Sequence, residues 1–326
     1  MMANGIRFFQ LGKLGRMITT QSARKNPAPK VSPHENRNTD ELISPQQNLG
    51  GYPGLLKLAS DVRANTLKGG SMSNERFLPN DKLEELATRE SVLLALGETI
   101  IEQEKHEELV TWVLESGKRL FLILVLLTRD SVEQLSWIEC LKNDGINDGA
   151  LPLGFPGIEP YYGYSLVAQA ESSQVFHSFK HWEDNDLILF KVYQWMFLAP
   201  VFGADAKFRH QLRNEQPLPL LNLTKRSAKK GILGEILEGE IHPAHISSQC
   251  LSALGEINPG LQGIPVSIKM VQPSDNLHPF FDIDNGRFKA RHATISSRLI
   301  KPIAAYKKHD EEFVIFRWVD DSNFCD

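Results

Sequence analysis

Between residues 76 and 142 the apolar positions recur at intervals of three and four, the spacing that gathers side chains on one face of a helix. Leu83, Leu86 and Ala87 form one such stripe, with Asn80 or Asp81 placed to cap its start. Thr88 is placed to cap a second helix presenting Val92, Leu93 and Leu96. A third runs from Lys105 through Leu109, Trp112 and Val113, and a fourth covers Leu120 to Leu127. Asp130 and Glu133 make a capping-box-like pair ahead of Val132, Leu135, Ile138 and Leu141. The run Leu120–Leu127, LFLILVLL, is bounded by charges, and a membrane span needs roughly 20 apolar residues, so it predicts a buried helix.

The texture then changes. NDGINDG at Asn143 and PLGFPGIEPYYGY from Pro152 are turn-forming sequences. They do not make a calcium loop: counted from Asp144, position three is Ile146 and position twelve is Phe155 where a Glu is needed. An aromatic-rich run, Leu187 to Phe202, is followed by a short basic stretch read as helical. After it come short strand-like segments at Leu218–Leu223, Gly234–Ile241, Val266–Met270, Leu299–Tyr306 and Phe313–Phe316. A helix-like segment near Phe280 to Arg291 interrupts them, and SSQCLSALGEINPG, after Ile246, adds a further small helix. Residues 1–71 are rich in Asn, Gln, Pro, Gly and Ser without apolar periodicity and are read as disordered. The pattern predicts an α+β chain in three parts: a disordered leader over 1–71, a helical region with linker over 72–200, and a five-stranded antiparallel sheet with one helix over 201–326.

Composition narrows the function classes. With 41% hydrophobic residues and a formal net charge of -4, the chain has core-forming capacity and no global attraction for nucleic acid or anionic lipid. Neither a nucleic-acid nor a membrane partner is expected. Cys140, Cys250 and Cys325 are far apart and odd in number, which fits a reducing, intracellular compartment, cytoplasm or nucleus, and no disulfide framework. Arg7, Lys13, Arg16, Arg24, Lys25 and Lys30 precede the first acid, so a mitochondrial transit peptide is an alternative reading of the leader beside a plain basic tail. The His177/His181 and His242/His245 pairs lack an obvious third ligand, so no metal site is assigned. The basic run Lys225, Arg226, Lys229, Lys230 reads as a solvated strand connection, with a localisation signal or a phosphate-attracting patch as the alternatives.

The strand-rich end carries KKGILGEILEGEIHPAH at Lys229, VSIK at Val266 and FVIFRWVDDSNF at Phe313. In this order they resemble the first half of a protein kinase domain, its N-lobe. The likeness extends to a group of fungal kinase-domain proteins through ERFLP at Glu75, QWMFLAPVF at Gln194, PLPLL at Pro217, GEIHPAH at Gly239, LIKPIAAY at Leu299 and FRW at Phe316. The resemblance implies that Gly231 and Gly234 belong to a glycine-rich loop, with Ile236 as the branched residue that follows. It implies that Lys269 grips phosphate, that Asp284 stands in for the helix carboxylate fixing that lysine, and that Phe316 is the gatekeeper before the hinge Arg317, Trp318 and Val319. The implied ligand is ATP, held weakly or vestigially.

The sequence departs from that pattern. Lys229 stands at the first glycine position, Asp284 is one methylene shorter than Glu, and Asn285-Gly286 is poor helix interior. No H-R-D or D-F-G motif occurs, so the chain offers no catalytic base and no metal-binding Asp; magnesium enters only with a C-lobe. The expected function is a truncated or degenerate kinase-like protein with a partial ATP-binding lobe, not competent for phosphotransfer as this chain. The alternative is a non-catalytic pseudokinase or adaptor that docks a protein partner through the helical region or through an exposed, apolar cleft face of the lobe.

Overall fold

The computed structural model describes residues 52–69, 75–128, 132–154, 167–168, 176–203, 207–225, 236–254, 262–271, 281–282, 287–288 and 302–318. Contacts divide the chain into Met1–Gln47 and Asn48–Asp326, and every described residue lies in the second unit.

Regular structure begins earlier than the composition suggests. Pro53–Ala64 (α1) is a helix with Pro in its first turn, where the missing N–H costs nothing. Its start is tied down from a distance: the Gly54 and Leu55 amides donate to the two Glu98 carboxylate oxygens at 2.8 and 2.9 Å. Leu55, Leu58, Ala59 and Val62, at helical spacing, are buried in the helical core. This corrects the leader read as disordered through residue 71: a twelve-residue amphipathic pattern was averaged away by its Asn-, Gly- and Pro-rich surroundings. A short antiparallel pair follows, Leu67–Lys68 (β1) with Arg76–Phe77 (β2).

Helices α2 (Asn80–Leu86), α3 (Arg89–Gly97), α4 (Gln103–Trp112) and α5 (Lys118–Leu127) fall where the periodicity puts them. Thr88 caps α3 reciprocally: the Ser91 amide donates to Thr88 Oγ1 at 3.2 Å and the Thr88 amide donates to Ser91 Oγ at 3.0 Å. The start of α2 differs, since its cap is Pro79 and no side chain bonds there. A π-helical turn, Val113–Gly117, joins α4 to α5. Gly117 permits it, because a Cβ there would lie 2.6 Å from the Trp112 ring. All eight residues Leu120–Leu127 are buried, and Asp148 caps their helix by accepting from the Arg119 and Leu120 amides at 2.9 and 3.0 Å.

The helix expected across 130–142 is split into α6 (Glu133–Ser136) and α7 (Ile138–Asn143). Trp137 sits at the break and stacks on Trp182 with ring centroids 4.2 Å apart. Asp130 lies outside the described residues, and Val132 begins α6 without a side-chain cap. Leu153–Gly154 (β3) pairs with Val167–Ala168 (β4), and α8 (Asp184–Tyr193) runs into one 3-10 turn, Gln194–Phe197.

The rest is a six-stranded sheet of β5 (Arg209–Gln211), β6 (Leu220–Lys225), β7 (Ile236–Ile241), β8 (Ile264–Val271), β11 (Pro302–Lys308) and β12 (Glu311–Arg317), in the order β5-β11-β12-β8-β7-β6. Five strands are antiparallel, as expected. The sixth, β5, adds in parallel at the β11 edge, where a basic helical stretch was expected. His210 and Leu212 turn inward while Arg209 and Gln211 point outward, a period of two that fits a strand. Phe202, Leu220, Ile241, Val266, Ile268, Ala304, Tyr306 and Ile315 make the core on one sheet face. Helix α9 (Ser248–Leu254) falls within the expected small helix. The larger helix expected near 280–291 is not what the described residues form: β9 (Phe281–Asp282) pairs antiparallel with β10 (Arg287–Phe288). The Asn285-Gly286 sequence between them suits a turn and costs about 1 kcal/mol per glycine in a helix.

Candidate functional site

Strand β8 alternates strictly. Ile264, Val266 and Ile268 enter the sheet core, which leaves Pro265, Ser267 and Lys269 on the opposite face. The register names their neighbours. Lys269 lies between Ile236 on β7 and Val314 on β12, and Ser267 lies between Glu238 and Phe316. Two rows result, Ile236–Lys269–Val314 and Glu238–Ser267–Phe316.

Three of the residues singled out in the sequence are thus on one face of three adjacent strands: Ile236, Lys269 and Phe316. Arg317 follows on β12, opposite Val266, and is exposed. The Trp318 amide donates to the Pro265 carbonyl at 3.2 Å, so pairing to β8 continues one residue past the strand end. Gly231, Gly234, Asp284 and Val319 lie outside the described residues, as do Arg226, Lys229 and Lys230.

The face differs from the open apolar surface expected of a lobe on its own. Lys269 is 6% exposed and Val314 is buried, while Ile236, Glu238, Ser267 and Phe316 are half-buried. A cation, a carboxylate and a hydroxyl interrupt its apolar positions. Glu238 escaped the sequence reading, which sought a carboxylate only in the segment around 284. The signal was present, because Glu238 is two residues from Ile236 and shares its face. It stands diagonal to Lys269 across β7 and β8, a spacing of roughly 7–8 Å between backbones.

A second cluster lies between the helical core and the sheet. ERFLP crosses there as a strap. Glu75 accepts from Lys308 Nζ with both oxygens at 2.9 Å, and Lys308 also donates to the Gln216 carbonyl at 2.7 Å. Phe77 is fully buried with Ala199 and Leu221, and its ring meets those of His245 and His242 edge-on at 5.3 and 6.3 Å. The Leu78 amide donates to the Met196 carbonyl at 2.7 Å. From the other side, Phe202 makes an isolated parallel bridge to Ile246: its amide donates to the His245 carbonyl at 2.8 Å and its carbonyl accepts from the Ser247 amide at 2.9 Å.

His242 and His245 bracket the 3-10 turn Pro243–His245, as the turn reading of HPAH expects. His245 Nδ1 donates to the Pro200 carbonyl at 3.0 Å, and its buried Nε2 has no hydrogen-bond partner among the described residues. Burial pushes its pKa down to about 4, despite the Pro200 bond. Burial also holds His242 below the usual histidine range. Among the described residues no three His, Cys, Asp or Glu side chains come together to hold a metal. Nor is any helix there long and apolar enough to cross a membrane.

Parts of ERFLP, QWMFLAPVF, PLPLL and GEIHPAH meet at this joint, through Glu75, Phe77, Leu78, Met196, Ala199, Phe202, Leu221, His242 and His245. Gln194 itself is fully buried and pairs with the Leu153 backbone as a strand would, accepting at 2.8 Å and donating at 2.9 Å. No family model matches the chain, and neither does any curated protein or solved structure.

Proposed function

We propose that the sheet is a degenerate kinase-type nucleotide lobe in which Lys269 holds the phosphates of ATP. The observation that carries this reading is the place of β8. Lys269 stands in the middle of the sheet, with the β6–β7 hairpin on one side and β12 on the other. The β6–β7 connection contains Gly231 and Gly234, and β12 ends at Phe316-Arg317. A phosphate grip of this kind needs a glycine-bearing hairpin next to the lysine strand and a hinge strand on its far side. Burial supports it further, since a lysine that is 6% exposed is an unusual outcome for a strand cation that only keeps its head in water.

Phosphoryl transfer is not assigned to these residues. The transfer rests on a positioned base and metal-held phosphates, and the H-R-D and D-F-G motifs that supply them do not occur in the sequence. The role that follows is nucleotide holding, with Asp284 or Glu238 as the carboxylate that balances Lys269.

Thermal unfolding of the full chain tests the reading. Millimolar ATP should raise the Tm, and Lys269→Met should fold and lose that rise. Binding at one hundred times Kd adds about 2.7 kcal/mol to the folded state. No shift at millimolar ATP, or a shift that Lys269→Met retains, contradicts it. A second reading, an adaptor working through its helices, draws on Ile188 and Val192, one turn apart and exposed on α8. A partner captured through α8 and lost on Ile188→Asp, with ATP binding absent, would favour that reading.

A further inference from the structure

We propose that the strap Glu75–Leu78 is an acid-released latch: at neutral pH it holds the helical region on the sheet, and on acidification it lets go before either hydrophobic core unfolds. The inference stands apart from nucleotide binding, because its groups, Glu75, Phe77, His242, His245 and Lys308, include none that is assigned to the nucleotide.

The geometry concentrates titratable groups in a joint between two cores that are otherwise apolar. The helical core and the sheet core are built from aliphatic and aromatic side chains. The cluster between them, by contrast, is small: Phe77, Ala199 and Leu221, with Leu67 packed against it. Its remaining walls are His242 and His245. His245 uses Nδ1 on the Pro200 carbonyl, so a proton added at Nε2 would create a cationic N–H in a buried site. That N–H finds no acceptor among the described residues. The charges that act on the ring from the neighbouring elements are His242 in the same turn, Asp81 on α2 and Arg119 on α5. His242 and Arg119 oppose the new charge and Asp81 alone favours it, while Lys82 adds a further positive charge near His242.

The other end of the strap is held by a buried charge pair. Lys308 is 6% exposed, and its ammonium is matched by the Glu75 carboxylate and the Gln216 carbonyl, with Glu311 its cross-strand neighbour on β12. Beyond Phe202, whose ring His210 meets edge-on at 5.3 Å, the His210 Nε2 is likewise buried without a partner among the described residues. Burial holds His210 below the usual histidine range, against a weaker pull from the Lys207 backbone. Acid therefore acts on the joint at the Phe77 pocket, through His245 and His242, and beside Phe202, through His210.

Hydrogen exchange of the full chain, corrected for the intrinsic pH dependence, reads the latch directly. The Leu78 amide fastens the strap to Met196 on the helical side, and the Phe202 and Ser247 amides fasten the segment 199–202 to the His242–Ser247 turn on the sheet side. Their protection should fall by up to about tenfold per pH unit as His245 takes up its proton, the limit for one linked proton. Amides of α5 and β8 should stay protected through that range. His245→Phe, which cannot titrate, should flatten the fall. Joint and core amides losing protection together would overturn the proposal, as would an unchanged profile in His245→Phe. Should that variant not fold, Glu75→Gln carries the test at neutral pH. The joint amides should then exchange faster with α5 and β8 intact, and wild-type protection at the joint would overturn the latch.

Discussion

Lys308 is a cation in a nearly dry place. Its ammonium is tolerable there because Glu75 closes on it with both oxygens and Gln216 supplies a carbonyl. Removing one partner of a buried pair costs more than the pair contributes, since an uncompensated charge stays behind. Glu75→Ala should therefore destabilise the chain by on the order of 3 kcal/mol, and Lys308→Met in that background should recover much of the loss. A double-mutant cycle by urea unfolding checks it, and additive losses would contradict it. His245 makes a matching prediction. Its pKa in the folded chain is about 4 against an ordinary 6.5, so between those values the unfolded chain binds a proton that the folded chain refuses. Stability from this group is complete above pH 6.5 and is lost as pH falls toward 4. The linked change is roughly 3 kcal/mol, and it should be missing from the stability–pH curve of His245→Phe.

At the scale of elements, two helices begin on carboxylates borrowed from far along the chain, α1 on Glu98 and α5 on Asp148. Asp148→Ala strips two amide bonds from the start of the most buried helix. Loss of such a cap costs about 1–2 kcal/mol, which thermal unfolding of the variant would register. Capping of this kind is invisible to a local reading, which looks for Ser, Thr, Asp or Asn beside the helix it caps. Where the cap is local, as at Thr88, the sequence reveals it. The strands were legible because β8 and β12 alternate or run apolar between turn signals. The pairing partner of β5 was not, because three residues of period two are too few to outweigh a basic stretch read as helix. The segment 281–288 was misread for a different reason. The helix-like reading ran unbroken across 280–291, while Asn285-Gly286 argued for a turn within the same residues.

For the molecule as a whole, the division at residue 200 marks a change of architecture and not a separation of parts. The strap at 75–78 and the segment 199–202 both cross from the helical core to the sheet. Residues 201–326 expressed alone would leave His245 without Phe77 and Lys308 without Glu75. That fragment should be poorly folded, with narrow amide dispersion, whereas a well-dispersed spectrum would contradict the joint's importance. The site was legible only in part from sequence. Lys269, Ile236 and Phe316 were found because each sits in a recognisable strand context, but their common face, and the presence of Glu238 on it, follow from register. Register is set by pairing between strands far apart in the chain, which a single sequence does not display.

The most direct test of the central claim is a calorimetric titration of ATP into the full chain, beside the same titration into Lys269→Met. The account predicts measurable binding to the first that is lost in the second, with the variant folded by circular dichroism. Absence of binding to the unmodified chain, or equal binding to both, would contradict the assignment of Lys269 as a phosphate grip.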